Sequence, residues 1–130
     1  MPRRVFFDTY AMIGIYSGNA SYKRFELEEA VTTRWNLLEF YFQIRRNGES
    51  QETAEQLASK YHKVCIEPSD RTLYLSGEFR LRHRYRDSSG KWKRVSYADA
   101  VGYQTSRVER IPFLTGDQGF KNLPNVEFVR

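Results

Sequence analysis

Four acidic residues stand in sequence settings that could put them to chemical use. Asp8 follows the apolar run Val5-Phe6-Phe7, and Asp117 follows Phe113-Leu114-Thr115-Gly116. Glu39 lies about two turns into a stretch of helical periodicity that opens after Thr33. Asp99 comes three residues after Ser96, in what reads as the first turn of another helix. Carboxylates brought together repel: at ~4 Å and an effective dielectric of about 20, each like-charged pair costs on the order of 4 kcal/mol. Such a cluster takes up protons or binds cations. Oxygen donors without histidine or cysteine select Mg²⁺ or Mn²⁺. His62 and His83 fall elsewhere in the pattern and Cys65 is the single cysteine, which speaks against zinc. An oxygen-lined pocket holding a divalent ion suits phosphodiester hydrolysis, because the ion acidifies water and offsets charge on the phosphate.

The elements that must position these residues follow from periodicity. Val5–Phe7 is a short apolar run of the kind buried on both faces of a central parallel strand. Helix-period residues Ala11, Met12, Ile15 and Tyr16 come next, with Gly18 as the stop. A second helix is expected over Tyr22 to Glu29, then a short β-branched strand over Ala30 to Thr33. Thr33 is a suitable N-cap for a helix closing at Arg45, Arg46 and Gly48. Ser50 caps another, to about Tyr61. Lys63 to Ile66 reads as a third strand ended by Pro68, and Ser69 or Asp70 caps a long helix with Leu73, Gly77, Leu81 and Tyr85 in line. Asp87-Ser88-Ser89-Gly90 is a turn. A helix from Ser96 to about Arg110, a strand at Phe113–Thr115 and a last strand at Val126–Val129 complete the chain. Strands alternating with helical crossovers mean an α/β fold, a parallel sheet with helices on both faces. Every carboxyl end of such a sheet faces one rim, so Asp8 and Asp117 meet there if their strands are neighbours.

Each acidic residue also has a plainer reading. Asp99 is the fourth residue of a Ser96-x-x-Asp99 capping box. Glu39 fits a solvated helix face, although Leu38 and Phe40 flank it, and Asp117 fits a turn. Asp8 is the hardest to dismiss, since an ionised carboxylate cannot be buried unpaired after a core strand.

Composition sets bounds on the reading. With 130 residues, 40 % hydrophobic and 28 % charged, the chain is expected to be one globular domain over residues 1–130. No apolar run approaches the ~20 residues of a membrane span. Met1-Pro2-Arg3-Arg4 leads straight into the first strand, leaving no room for a signal peptide, and cytoplasmic residence is the expectation. The net charge of +5 permits a polyanionic partner. Arg80, Arg82, Arg84, Arg86, Lys91, Lys93 and Arg94 fall within fifteen positions and are opposed only by Asp87, with Tyr85 and Trp92 interleaved. Phosphate contact and base stacking on single-stranded RNA are both available to such a stretch. A solvated helix end followed by a basic loop, or a surface for an acidic partner segment, is equally compatible with it.

The acidic stretches resemble the four motifs of PIN-domain proteins, in the family's order: Phe6-Phe7-Asp8-Thr9-Tyr10-Ala11, Thr33-Arg34-Trp35-Asn36-Leu37-Leu38-Glu39, Ser96-Tyr97-Ala98-Asp99-Ala100 and Phe113-Leu114-Thr115-Gly116-Asp117. In style the chain is similar to the VapC-type toxins of toxin–antitoxin pairs. The resemblance extends to the closing Asn125-Val126-Glu127-Phe128-Val129. It implies a three-layer α/β/α sandwich with a five-stranded parallel sheet ordered 3-2-1-4-5. It also implies Mg²⁺- or Mn²⁺-dependent endoribonuclease activity on an RNA substrate, a homodimer, and neutralisation by a small antitoxin. By position, Asp8, Glu39, Asp99 and Asp117 match the acidic quartet that would bind metal and catalyse, with Thr9, Thr115 and Asn36 as supporting polar neighbours. A haloacid-dehalogenase-like phosphatase would need a second aspartate at position 10, which is Tyr10. A signalling receiver would need a lysine placed after its last core strand, and Lys121 has no such setting. A non-catalytic RNA-binding or signalling module with an acidic pocket is the alternative.

Overall fold

The computed structural model describes residues 2–130. Its elements in chain order are β1 (Arg4–Phe7), α1 (Thr9–Tyr16), a 3₁₀ segment (Ala20–Leu27), β2 (Glu29–Val31), α2 (Arg34–Arg46), α3 (Gln51–Ser59), a 3₁₀ turn (His62–Val64), α4 (Asp70–Arg82), β3 (Tyr85–Arg86), β4 (Trp92–Lys93), α5 (Tyr97–Glu109), β5 (Phe113–Thr115), a 3₁₀ turn (Gln118–Phe120) and β6 (Val126–Phe128).

A parallel four-stranded sheet in the order β2-β1-β5-β6 forms the middle layer. The alternation of β1 sends its side chains into two cores. Val5 and Phe7 face Met12, Tyr22, Leu37, Phe40 and Ile44, on the side of α1, α2 and α3. Phe6 faces Tyr103, Phe113 and Phe120, on the side of α5, with α4 packed outside against α5. Val5, Phe6 and Phe113 have no exposed surface. Burying side chains of this size stabilises by ~2 to 3 kcal/mol each, so a central β1 is energetically imposed. The register sets Phe6 opposite both Val31 and Phe113, and Phe7 opposite Leu114. That pairing brings the carboxyl ends of β1 and β5 side by side.

Three sequence expectations are corrected. The third strand is reduced to a bridge between Thr32 and Cys65, in which Thr32 N–H donates to Val64 at 3.1 Å and Ile66 N–H to Thr32 at 2.8 Å. It lies where the 3-2-1-4-5 order places it, but the 3₁₀ turn uses up His62–Val64 and Pro68 follows, leaving too few residues for a ladder. The second helix is a 3₁₀ segment that starts at Ala20. The long helix stops at Arg82 instead of carrying on through Tyr85, because His83 is extended (φ −97°, ψ 113°). Tyr85 and Arg86 then pair with Lys93 and Trp92 in an antiparallel hairpin. Here the turn chemistry of Asp87 prevails over helical periodicity. Its carboxylate accepts from Ser89 N–H, Ser89 hydroxyl and Lys91 N–H, and Gly90 takes a φ of 83° that favours glycine.

Candidate functional site

The four carboxylates are set by the ends of four elements. Asp8 is the N-cap of α1, accepting Ala11 N–H at 2.7 Å. Glu39 projects from α2 two turns after its cap, Thr33. Ser96 caps α5 by accepting Asp99 N–H at 3.0 Å. Asp117 caps the 118–120 turn, accepting Gly119 N–H at 2.9 Å while its own N–H donates to Thr115 Oγ1 at 3.0 Å. The plainer readings of Asp99 and Asp117 are therefore real in part: each belongs to a local cap or turn. They do not account for the tertiary placement.

Glu39, Asp99 and Asp117 line one cleft of about 340 Å³, together with Thr9, Tyr10 and Gln43. Asp8 is fully buried beside it and Asp99 is 7 % exposed, whereas Glu39 and Asp117 are half-buried. Burial pushes the Asp8 carboxyl up to about 8; the Thr115 hydroxyl and the Ala11 N–H pull the other way, and the charges of Asp117 and Glu39 add to the rise. Asp99 is raised well above the ordinary carboxylate range, first by burial and then by Asp8, Glu39 and Asp117. Residues from position 8 to position 117 thus act on one another electrostatically. Asp8 Oδ2 and Asp99 Oδ1 are buried without any hydrogen-bond partner. An orphaned carboxylate oxygen is costly unless a proton or cation is shared with it.

A hard divalent cation fits this donor set, which is all oxygen and contains those two unpartnered atoms. Among the described residues no three acidic, histidine or cysteine side chains are already drawn into a metal-holding group. Asp99 and Asp117 nevertheless stand within side-chain hydrogen-bonding reach of one another.

The supporting polar residues differ from one another in their contacts. Thr115 is buried against the Asp117 turn, as above. The buried Thr9 hydroxyl donates to the Asn36 carbonyl at 3.4 Å. Asn36 is fully buried; its Nδ2 donates to Thr9 Oγ1 at 3.4 Å and its Oδ1 accepts from the Thr33 hydroxyl at 2.8 Å. This chain ties the start of α2 to the start of α1, setting the rim on which Asp8 and Glu39 sit.

Tyr10 and Tyr85 also border the acidic group. The Tyr85 hydroxyl is pushed up by burial and then by Asp117, Asp87 and Asp99. Gly119 admits this ring: a Cβ there would meet Tyr85 Cε1 at 2.8 Å. A tyrosine in a basic run gives no sequence signal for such a position, since the hairpin that carries it reads as helix.

The basic residues separate into two sets. Arg80 donates to the Val95 carbonyl at 2.9 Å and lies 4.0 Å over the Tyr97 ring. Arg82 pairs with Glu78 at 3.3 Å and Lys93 with Asp87 at 3.2 Å. Arg84, Arg86, Lys91 and Arg94 form no ion pair among the described residues. Arg84 and Arg86 lie 5.0 and 4.6 Å over the Trp92 ring.

No helix of the described residues is long and apolar enough to cross a membrane. A search of curated protein sequences found no match. Among solved structures, the fold is similar to the Mycobacterium tuberculosis toxin VapC20, described as cleaving the sarcin–ricin loop (TM-score 0.70, 20 % identity, 97 % of this chain and 99 % of that one). It is also similar to a chain of a toxin–antitoxin complex from Klebsiella pneumoniae (TM-score 0.69, 17 % identity, 95 % of both chains). A third likeness is to a chain of VapBC2 from Rickettsia felis, solved with a promoter DNA fragment (TM-score 0.66, 16 % identity, 98 % of this chain and 99 % of that one). At these identities the likeness is one of fold. Residues 5–126 match the PIN domain family, a span that takes in all four carboxylates: the chain belongs to the PIN domain family.

Proposed function

We propose that this protein is a metal-dependent endoribonuclease, the toxin of a toxin–antitoxin pair, with Asp8, Glu39, Asp99 and Asp117 as its catalytic carboxylates. The observation that carries the reading is the pair of orphaned oxygens, Asp8 Oδ2 and Asp99 Oδ1, buried beside the half-buried carboxylates of Glu39 and Asp117. Asp8, Asp99 and Asp117 would hold Mg²⁺ or Mn²⁺, and Glu39 would complete the site of a second ion. When bound, such an ion acidifies water and offsets the charge that develops on a phosphodiester. The chain's own residues supply position and proton handling. Asp8 is pinned by the Ala11 N–H, so one of its oxygens is spoken for and the other remains available. Glu39, half-buried at the cleft, is the group suited to take the proton from the attacking water.

The partner reading draws on the toxin–antitoxin complexes of the same fold and on a surface feature. Trp35, Leu38 and Phe42 project from α2 and are 42, 68 and 57 % exposed, with a groove of about 640 Å³ between Leu37, Leu38 and Tyr41 of α2 and Ala58 of α3. An apolar stripe of this kind suits a helical segment of an antitoxin or a second copy of the chain. Cytoplasmic residence belongs to the same reading.

RNA cleavage is measured with Mg²⁺ or Mn²⁺ and with EDTA, in the wild type, Asp8→Asn and Asp117→Asn. Cleavage is expected only for the wild type with metal, while both variants keep the wild-type circular dichroism. If either variant cleaves at the wild-type rate, these roles are wrong.

A further inference from the structure

We propose that the β3–β4 hairpin and Arg130 form a subsite that grips the backbone of a single-stranded RNA next to the acidic cleft. The inference rests on the ribonuclease reading for the identity of the polyanion, and on the following geometry for its place.

A second cavity, of about 580 Å³, has Tyr10, Tyr85, Arg86, Asp87, Asp117 and Arg130 among its lining residues. Two of these, Tyr10 and Asp117, also line the acidic cleft, so the two spaces share a wall. Ionised carboxylates repel a polyanion, and positive charge beside them offsets that repulsion. Arg86 and Arg130 supply that charge from the neighbouring space, and neither is paired with a carboxylate among the described residues. The acidic side chain of the hairpin, Asp87, is already committed: it holds the turn and pairs with Lys93.

The hairpin is a fixed platform. Arg84 and Arg86 both lie over Trp92, which limits the freedom of long cationic side chains. Tyr85 packs on Gly119, two residues past Asp117, and His83 holds the Gly119 carbonyl through Nε2 at 2.7 Å. The cations are thereby set at a constant offset from the carboxylates. Tyr10 and Tyr85 give the cavity aromatic walls on which unpaired bases can stack, a feature that a duplex cannot use.

The test is binding of a dye-labelled single-stranded RNA of about ten nucleotides, followed by anisotropy in EDTA over a series of salt concentrations. Arg86→Ala and Arg130→Ala are each expected to weaken binding about three- to tenfold at low salt and to reduce the slope of log K against log salt by about 0.7. Arg86→Lys keeps the charge and should keep the slope, which separates lost contact from lost folding. Unchanged slopes in both alanine variants overturn the proposal. So does equal binding of a duplex of the same length, or loss of binding to a polyglutamate peptide with RNA binding unaffected; the last result would assign the surface to an acidic protein segment. Because cleavage is not measured, the two readings fail separately. A wild type that binds as described but never cuts RNA with Mg²⁺ or Mn²⁺ removes the nuclease and leaves the subsite.

Discussion

Replacing Asp8 by Asn should make the protein more stable at alkaline pH in the absence of divalent ions, and the gain should vanish in acid. The Asp8 carboxyl, ordinarily near 3.8, is raised to about 8 by burial. The folded state therefore binds this proton more tightly than the unfolded chain. Its stabilising effect is fully present below about pH 4 and is lost as the pH rises through about 8. At roughly 1.4 kcal/mol per pH unit, the whole shift corresponds to an upper bound of about 6 kcal/mol. Asp8 and Asp99 are raised partly by each other's neighbourhood of charge, so removing the Asp8 carboxylate relieves a part of that total; a gain of ~2 kcal/mol or more at pH 9 is expected. Asparagine caps helices as well as aspartate does, so the bond to Ala11 N–H survives and the fold pays no cap penalty. Urea denaturation of both proteins in EDTA at about pH 4 and pH 9 checks this. Metal adds a second arm. A divalent ion at about 100 times its Kd should stabilise the wild type by ~2.7 kcal/mol and leave the variant unmoved. An Asn variant that is less stable at pH 9, or that differs equally at both pH values, would refute the claim that burial and crowded charge dominate this site.

Two further perturbations probe the scaffold. Gly102→Ala should cost ~1 to 3 kcal/mol in urea denaturation, because the new Cβ would lie 2.8 Å from Phe6 Cε1 and 2.9 Å from Asn36 Oδ1. An unchanged midpoint would mean that α5 does not press on β1 and α2 as described. Asn36→Ala should cost ~1 to 3 kcal/mol by removing the acceptor of the buried Thr33 hydroxyl and the amide donor to Thr9 Oγ1, although both hydroxyls keep their bonds to the backbone of residue 36, and Asn36→Asp should restore at most part of it, since the donor to Thr9 is lost. Equal stability of the alanine variant would show that the polar chain does not fasten α1 to α2.

Sequence alone determined the strand–helix alternation and the places where carboxylates end up on one rim. Val5-Phe6-Phe7 reads as a central strand because it is short and wholly apolar, and helical crossovers favour parallel pairing, so Asp8 and Asp117 had to emerge together once β1 and β5 were neighbours. The caps at Thr33, Ser50 and Ser96 were legible because an N-cap is a local bond between residues three apart, whereas the choice between Ser69 and Asp70 was settled, for Ser69, only by the structure. Tertiary structure decided what depends on competition between distant groups. Periodicity carries Tyr85 onward in a helix, but the carboxylate of Asp87 gathers three donors and closes a hairpin instead. The expected third strand fades to a bridge at Cys65 because a turn consumes its residues. The division of labour among the carboxylates, with Asp8 and Asp99 buried and orphaned while Glu39 and Asp117 are half open, is likewise invisible in order or spacing. Burial is a property of what packs around a side chain, and that is settled only when all the layers have closed on one another.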